Sequence, residues 1–122
     1  MYKATSFKNF DSSSVPSPCF VVDEVAIEKN LKILKRVQDE SGVKILLALK
    51  AFSMFSLAPL INQYLQGTCA SGLHEARLGY EEFGSKDHSK EVHTFSAAYT
   101  ERDLEEILQI SNHVVFNSFS QW

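Results

Sequence analysis

The chain has 122 residues, of which 44% are hydrophobic and 22% charged, with a formal net charge of -3. This size and balance favour one globular domain, and they exclude a disordered chain and a broad basic surface for nucleic acid. No apolar run approaches the ~20 residues of a membrane helix, and the first residues lack a secretory pattern, so we expect a cytoplasmic protein that binds neither membrane nor nucleic acid.

The cysteines and histidines predict neither a disulfide framework nor a metal site. Cys19 and Cys69 are far apart and form no CxxC pair, which favours a reducing compartment and two thiols that act as small hydrophobic groups. No two histidines share the helical spacing typical of metal ligands, so we predict no metal site. The histidines are His74, His88, His93 and His113.

The first elements predicted in chain order are an arm, a strand and a helix. Residues 1–18 are polar and contain the Pro and Ser punctuation of an irregular arm. Residues 19–23 (CFVVD) predict a short strand, and Asp23 is a good N-cap for a helix over residues 24–40. Ser41 and Gly42 end this helix. Its apolar residues recur near the helical period: Val25, Ile27, Leu31, Leu34 and Val37.

The next unit pairs an apolar strand with a helix. Residues 44–49 (KILLAL) are apolar nearly throughout, which is typical of a strand covered on both faces. A helix follows, with Ser56 as the predicted cap, Pro59 in the first turn and Gly67 at the end.

The same rhythm continues to the end of the chain. Strands are predicted at residues 68–71, 91–97 and 113–118, with helices at 72–84 and 99–110 between them. Thr100, with Asp103 three residues later, nearly forms a capping box at the start of the last helix. Strand centres near residues 46, 69, 93 and 115 give one β/α unit about every 23 residues, which predicts a parallel sheet.

Two closures of a parallel sheet compete. An open doubly wound sheet that binds a nucleotide usually has a glycine-rich turn after its first strand, but here that turn is LKAFSM, residues 49–54. A (β/α)₈ barrel needs ~250 residues, about twice this length. We therefore expect an α/β fold that is the N-terminal half of a TIM-type barrel, with residues 19–122 forming about four β/α units of something longer.

Lys50 stands at the carboxyl end of the apolar strand, where parallel sheets hold their ligands. We expect partial desolvation of this amine, which would lower its pKa and favour a Schiff-base role. Most lysines at strand ends are simply solvated, so position alone does not decide between these interpretations.

Several stretches of the sequence resemble one enzyme family in order along the chain. They are PSPCFVVDE (16–24), KILLALKAFSM (44–54), GTCASGLHEARLGYEEFG (67–84), VHTFSAAY (92–99) and VVFNSFSQW (114–122). Together they resemble the fold-type III pyridoxal-phosphate decarboxylases of the alanine racemase-like fold, and ASGLHEARLGYEEFG with FNSFSQW points to the carboxynorspermidine/carboxyspermidine decarboxylase branch.

The resemblance implies a cofactor, a reaction and a set of site residues. Lys50 would hold pyridoxal 5'-phosphate and act as the catalytic lysine, and Ser71 and Glu75 would line the cofactor pocket. The reaction would be decarboxylation of carboxynorspermidine or carboxyspermidine in polyamine biosynthesis. Ser71 also fits a helix N-cap and Glu75 a first-turn acid, so both have an ordinary structural interpretation. His74, Asn117 and Ser118 are weaker candidates at the same mouth.

The resemblance also implies what this chain lacks. The later barrel strands, the phosphate-binding segment and the C-terminal β-domain would lie beyond it, so we expect an inactive fragment. A homodimer of the complete protein, or a complementary C-terminal chain, would then be its partner, and the substrate a small polyamine carboxylate.

Three alternatives stay open from the sequence. One is a non-catalytic pyridoxal-phosphate-binding barrel, and another is a different fold-type III amino-acid decarboxylase. A response-regulator-like module would need acidic residues at the strand ends, which instead carry Lys50, Ser71, Ser96 and Ser118.

Overall fold

The computed structural model of the protein describes residues 10–87 and 89–122. In these residues four parallel strands form one sheet in the order β1-β2-β3-β4. The strands are β1 (Leu46–Ala48), β2 (Gly67–Ala70), β3 (Glu91–Phe95) and β4 (His113–Val115). The helices are α1 (Glu24–Ser41), α2 (Ala58–Ile61), α3 (Leu73–Glu82) and α4 (Glu101–Ile110), with short 3₁₀ turns at Ser12–Ser14 and Phe55–Leu57. The predicted parallel sheet is confirmed.

The two faces of the sheet differ in what covers them. Side chains alternate along a strand, and on one side Thr68, Ala70, Val92 and Thr94 are no more than 1% exposed beneath the helices. We call this side the helix-covered face. The opposite side, here the open face, carries the exposed residues Ala48, Cys69, Phe95, His113 and Val115.

Strand order and helix placement together indicate a segment of a barrel. A doubly wound sheet reverses its strand order and has helices on both faces. Here the strands follow one another in sequence order, and the helices pack on a single face. In a (β/α)₈ barrel that single face is the outside of the cylinder, and the open face is its interior.

The core lies between the sheet and the helices. Its main cluster joins Leu31 of α1, Leu49 after β1, and Phe83 at the end of α3, each no more than 5% exposed. A smaller cluster, Ala70, Ala76 and Val92, packs α3 against the middle strands. Burial of apolar area on this side alone therefore holds the helices in place.

Three predicted helix ends are confirmed by their contacts. The Asp23 carboxylate accepts from the Ala26 backbone N–H at 3.1 Å, and the Thr100 hydroxyl accepts from the Asp103 N–H at 3.1 Å. Gly42 follows α1 with φ of 74°, which favours glycine. Each cap stabilises its helix by about 1 kcal/mol.

The helix predicted after β1 is wrong in its start, its length and its end. Ser56 lies inside the 3₁₀ turn and is not a cap, and α2 has four residues, with Pro59 in its first turn as predicted. Gly67 begins β2 instead of ending the helix. A side chain there would place its Cβ 2.0 Å from the Glu91 carbonyl oxygen, so the close approach of β3 explains the glycine.

Gln38 supports the irregular chain between α2 and β2. Its side chain is buried, donates to the Tyr64 carbonyl at 2.7 Å and accepts from the Ile45 N–H at 2.8 Å. The first bond satisfies a carbonyl that a longer helix would have paired internally, and the second satisfies the N–H of the residue before β1.

Several burial predictions are also wrong. Residues 19–23 form no strand, because no strand in the described part of the chain pairs with them. Cys19 and Cys69 are both exposed rather than buried, and β1 is covered on one face because Ala48 faces the open side. In α1, Val25, Leu34 and Val37 are at least 36% exposed, since α1 packs its Leu31 side against the sheet and α2.

None of the helices found in the described ranges is long and apolar enough to cross a membrane.

Candidate active site

Lys50 and Ser71 follow the carboxyl ends of the neighbouring parallel strands β1 and β2. Ala48 is the register partner of Cys69, and Lys50 and Ser71 each follow two residues later. The ladder extends one step past β1, because the Leu49 N–H donates to the Cys69 carbonyl at 3.1 Å. Lys50 then lies in a turn, in which the Ala51 N–H donates to the Ala48 carbonyl at 3.0 Å.

Lys50 is exposed at this edge. Within residues 10–87 and 89–122 its ammonium group has no hydrogen-bond or ion-pair partner. The desolvation expected from the sequence is therefore absent, because nothing in these residues covers the open face around it. Among the described residues no carboxylate pairs with this primary amine, which leaves it accessible to a carbonyl compound.

Ser71 and Glu75 form one unit just beyond β2. The Ser71 N–H donates to Glu75 Oε2 at 2.8 Å, and its hydroxyl donates to Glu75 Oε1 at 2.7 Å. The N-cap residue of α3 is Gly72, which makes no side-chain cap bond, so Ser71 does not cap the helix. Glu75 thus uses both carboxylate oxygens to fix the β2–α3 loop next to Lys50.

The ends of β3 and β4 are tied together by Tyr99 and Asn117. The Tyr99 hydroxyl accepts from the Ser96 N–H at 2.9 Å and lies 3.0 Å from the Val115 carbonyl oxygen. Burial raises the pKa of Tyr99, so it remains a neutral hydrogen-bonding group. Asn117 Nδ2 donates to the Ala97 carbonyl at 2.8 Å. This half of the edge is fixed by backbone contacts.

The weaker candidates fall in different places. His74 lines a groove between α3 and α4, beside Arg77 and Glu106, whose Nη2 and Oε2 atoms lie 2.6 Å apart. Ser118 lies near the mouth, where its hydroxyl contacts that of Ser120. Beyond β4, Phe119 and Trp122 are 93% and 83% exposed, so aromatic surface flanks this end of the edge.

A second polar group on the open face was missed by sequence reasoning. Glu91 bridges Lys44 and His93, with 2.9 Å between Glu91 Oε2 and His93 Nε2. The Lys44 ammonium, and then His93, hold the pKa of Glu91 below its ordinary value. The His93 and His113 rings lie 4.2 Å apart between centroids, because the two residues are register partners on β3 and β4. A search for helical histidine spacing cannot find such a pair, although both residues stand in predicted strands.

Comparisons with known proteins agree with the barrel assignment. No protein-family model matches the chain. It is 44% identical over 110 residues to the carboxyaminopropylagmatine decarboxylase of Synechocystis sp., which covers 90% of this chain and 27% of the relative. It is 35% identical over 108 residues to the carboxynorspermidine/carboxyspermidine decarboxylase of Herminiimonas arsenicoxydans, covering 88% of this chain and 28% of the relative.

A solved structure shows the same fold. The crystal structure of carboxynorspermidine decarboxylase complexed with norspermidine from Campylobacter jejuni superposes with a TM-score of 0.80 and 37% identity. The match covers 88% of this chain and 28% of that one. The chain therefore spans little more than a quarter of the length of the curated relatives it matches.

The fold is similar to part of the barrel of carboxynorspermidine decarboxylase, and the predicted fold class is confirmed. Over the matched region, the chain is a homologue of the carboxynorspermidine and carboxyspermidine decarboxylases, which are carboxy-lyases. The resemblance to the carboxynorspermidine/carboxyspermidine decarboxylases that the sequence analysis stated is confirmed over this region.

Proposed function

We propose that this chain forms the lysine-bearing wall of a pyridoxal-phosphate-dependent decarboxylase of polyamine carboxylates, with Lys50 as its catalytic residue. The observation that carries the proposal is the position of Lys50, an amine without a partner among the described residues, at the carboxyl edge of a barrel segment similar to those decarboxylases. Catalytic residues of such barrels come from this edge.

The chemistry divides between the cofactor and the chain. Bound pyridoxal phosphate supplies an electron sink that accepts the electron pair left when the bond to the carboxylate breaks. Lys50 would hold the cofactor through its side-chain amine, the group that reacts with an aldehyde carbon. The carboxylate of Glu75 holds the Ser71 loop at the side of this amine, so that pocket-lining atoms of the loop keep one geometry.

The open face supports the view that the active protein contains more barrel than this. Exposed side chains such as Ala48, Cys69 and Val115 would form the barrel interior, where a complete barrel packs layers of side chains. The phosphate of the cofactor and the distal part of the substrate would then be bound by the remaining chain or by a second chain. We expect the assembled protein to be a homodimer.

The substrate class is a flexible, multiply cationic amine that carries one carboxylate. The relatives named above act on carboxynorspermidine, carboxyspermidine or carboxyaminopropylagmatine. We extend this shared class to the present chain, and we include carboxyaminopropylagmatine because the relative named for it is 44% identical.

The test is to trap the cofactor on this chain by reduction. We expect borohydride reduction after incubation with equimolar pyridoxal phosphate to label Lys50 above other lysines, as mapped by peptide mass spectrometry. Lys44 is a matched internal control, because it precedes the same strand and is paired with Glu91. Lys50→Ala should lose the dominant label, whereas Lys44→Ala should keep it.

Two outcomes would count against the proposal. Uniform labelling of all exposed lysines would remove the special role of Lys50, as would unchanged labelling in Lys50→Ala. A second experiment distinguishes the decarboxylase from the non-catalytic barrel. In it, this chain is combined with the unmatched remainder of the Campylobacter relative. Release of CO₂ from carboxynorspermidine, lost in Lys50→Ala, supports the decarboxylase, and labelling without CO₂ release supports the non-catalytic barrel.

A further inference from the structure

The group of Glu91, His93 and His113 lies on the open face, away from Lys50. Glu91 pairs in register with Gly67, which pairs with Leu46. Leu46 is four residues before Lys50 and two strands away from Glu91, so at about 3.3 Å per residue and about 4.8 Å per strand the Glu91 backbone lies roughly 16 Å from that of the proposed cofactor lysine. Neither the proposed reaction nor the packing of the helices uses these three side chains.

We propose that Glu91, His93 and His113 bind a divalent transition-metal ion, with Zn²⁺ as the best fit. Each residue offers one ligand atom, and the three atoms all lie within 4.8 Å of one another. Two imidazole nitrogens and one carboxylate oxygen suit Zn²⁺, which binds them at about 2.0–2.2 Å. Small side-chain rotations toward a shared centre would bring the donors to that distance, with water completing the coordination.

The strands make this arrangement rigid at its base. Val92 and Thr94, which flank His93 on the opposite face, are 0% exposed and fix the backbone of β3. Asn112 fixes the start of β4, because it accepts from the Val92 N–H at 2.8 Å and donates its own N–H to the Val92 carbonyl at 2.8 Å. Ligands placed on neighbouring strands keep their separation better than ligands on loops.

Lys44 is the group that competes with the ion. It contacts Glu91 Oε1, whereas His93 Nε2 faces Glu91 Oε2. An ion that enters between Oε2 and Nε2 replaces the carboxylate–imidazole contact and leaves Lys44 on the outer oxygen. A carboxylate ligand that accepts an outer hydrogen bond is common in metal sites. The ammonium charge also repels the ion, so removing it should tighten binding.

The test uses the tag-free 122-residue chain and Zn²⁺ alone. We expect isothermal titration to give one equivalent bound, with Co²⁺ as a spectroscopic substitute. His113→Asn and Glu91→Gln should each weaken binding at least about tenfold, and Lys44→Met should tighten it. His74→Asn is the matched control on α3 and should bind as the unmodified chain does. Circular dichroism checks that the exposed His113 can be replaced without loss of fold.

Three results would overturn the site. One is an affinity that is equal in the unmodified chain, His113→Asn and Glu91→Gln. Another is binding that depends on Cys69, the register partner of His93, but survives His113→Asn, which would indicate a thiol site. The third is a chain that takes up no Zn²⁺ while remaining folded. Labelling of Lys50 is independent of all three, so the two proposals fail separately.

Discussion

The helix-covered face and the open face of the sheet are built from alternate residues of the same strands, yet they carry different tasks. On the covered face, Thr68, Val92 and Thr94 are at most 1% exposed. On the open face, the same strands present Cys69, His93 and Phe95, which are half-buried or exposed. One face buries the apolar area that stabilises the fold, and the other carries the group of Glu91, His93 and His113.

This division explains why polar groups are tolerated on one side and rare on the other. A buried polar atom needs a partner, and the covered face meets that need where Thr94 Oγ1 contacts Ser111 Oγ at 2.8 Å. The open face holds an ammonium, a carboxylate and two imidazoles that remain in contact with water. Changes on the covered face should therefore alter stability, and changes on the open face should alter binding.

The largest expected effect comes from paired phenylalanines. Phe83 is 1% exposed in the main core cluster, and Phe95 is 44% exposed on the open face. Phe83→Ala should lower the free energy of unfolding by about 3–5 kcal/mol, whereas Phe95→Ala should change it by less than about 0.5 kcal/mol. Urea denaturation followed by circular dichroism measures both. Equal losses would mean that the open face also contributes to folding in this chain.

A smaller effect should distinguish two buried threonines on the covered face. Thr68 Oγ1 is buried and lacks a hydrogen-bond partner in the part of the chain that the structure describes. Thr68→Val replaces this hydroxyl with a methyl group of similar shape and should stabilise the fold by about 1 kcal/mol.

Thr94→Val is the matched control for this change. It removes the partner of Ser111 and should destabilise the fold by about 1 kcal/mol. The measurement is the urea midpoint of each variant, since the two should shift in opposite directions. A loss of stability in both would indicate that the Thr68 hydroxyl has a favourable contact after all.

The covered face was the more predictable one, because its signals are local. Asp23, Gly42 and Thr100 act on the turn next to them, and they start or end helices where the sequence indicates. The strand predicted at residues 19–23 is wrong because a strand requires a neighbouring strand to pair with. Apolar residues such as Phe20, which is 96% exposed, do not indicate whether such a neighbour exists.

The open face was harder to predict because its contacts depend on register. The predicted strand centres near residues 93 and 115 differ by two residues from the true pairing of His93 with His113. An error of two residues in the register leaves each side chain on the same face of the sheet. Alignment of the predicted strands could therefore have indicated that the two histidines lie close together. The exposure of Cys69 could not be predicted in this way, because it depends on whether anything covers the open face.

The smallest effect tests the charge of Glu91 by pH. Lys44 and His93 lower the pKa of Glu91 from its ordinary value of 4.5. A lowered pKa in the folded state contributes stability that is fully present above the unfolded value and is lost as the pH falls through the folded value.

The stability advantage of the unmodified chain over Glu91→Gln should therefore shrink as the pH falls from about 6 to below 4.5. We expect less than about 1 kcal/mol, since the pair remains partly hydrated. The measurement is urea denaturation across this pH range, with a chelator present to exclude metal binding. Lys44→Met removes the first cause of the shift and should flatten the pH dependence. A difference that grows toward low pH would contradict an ionised Glu91, and with it the distinction between a hydrated, charged face and a buried, neutral one.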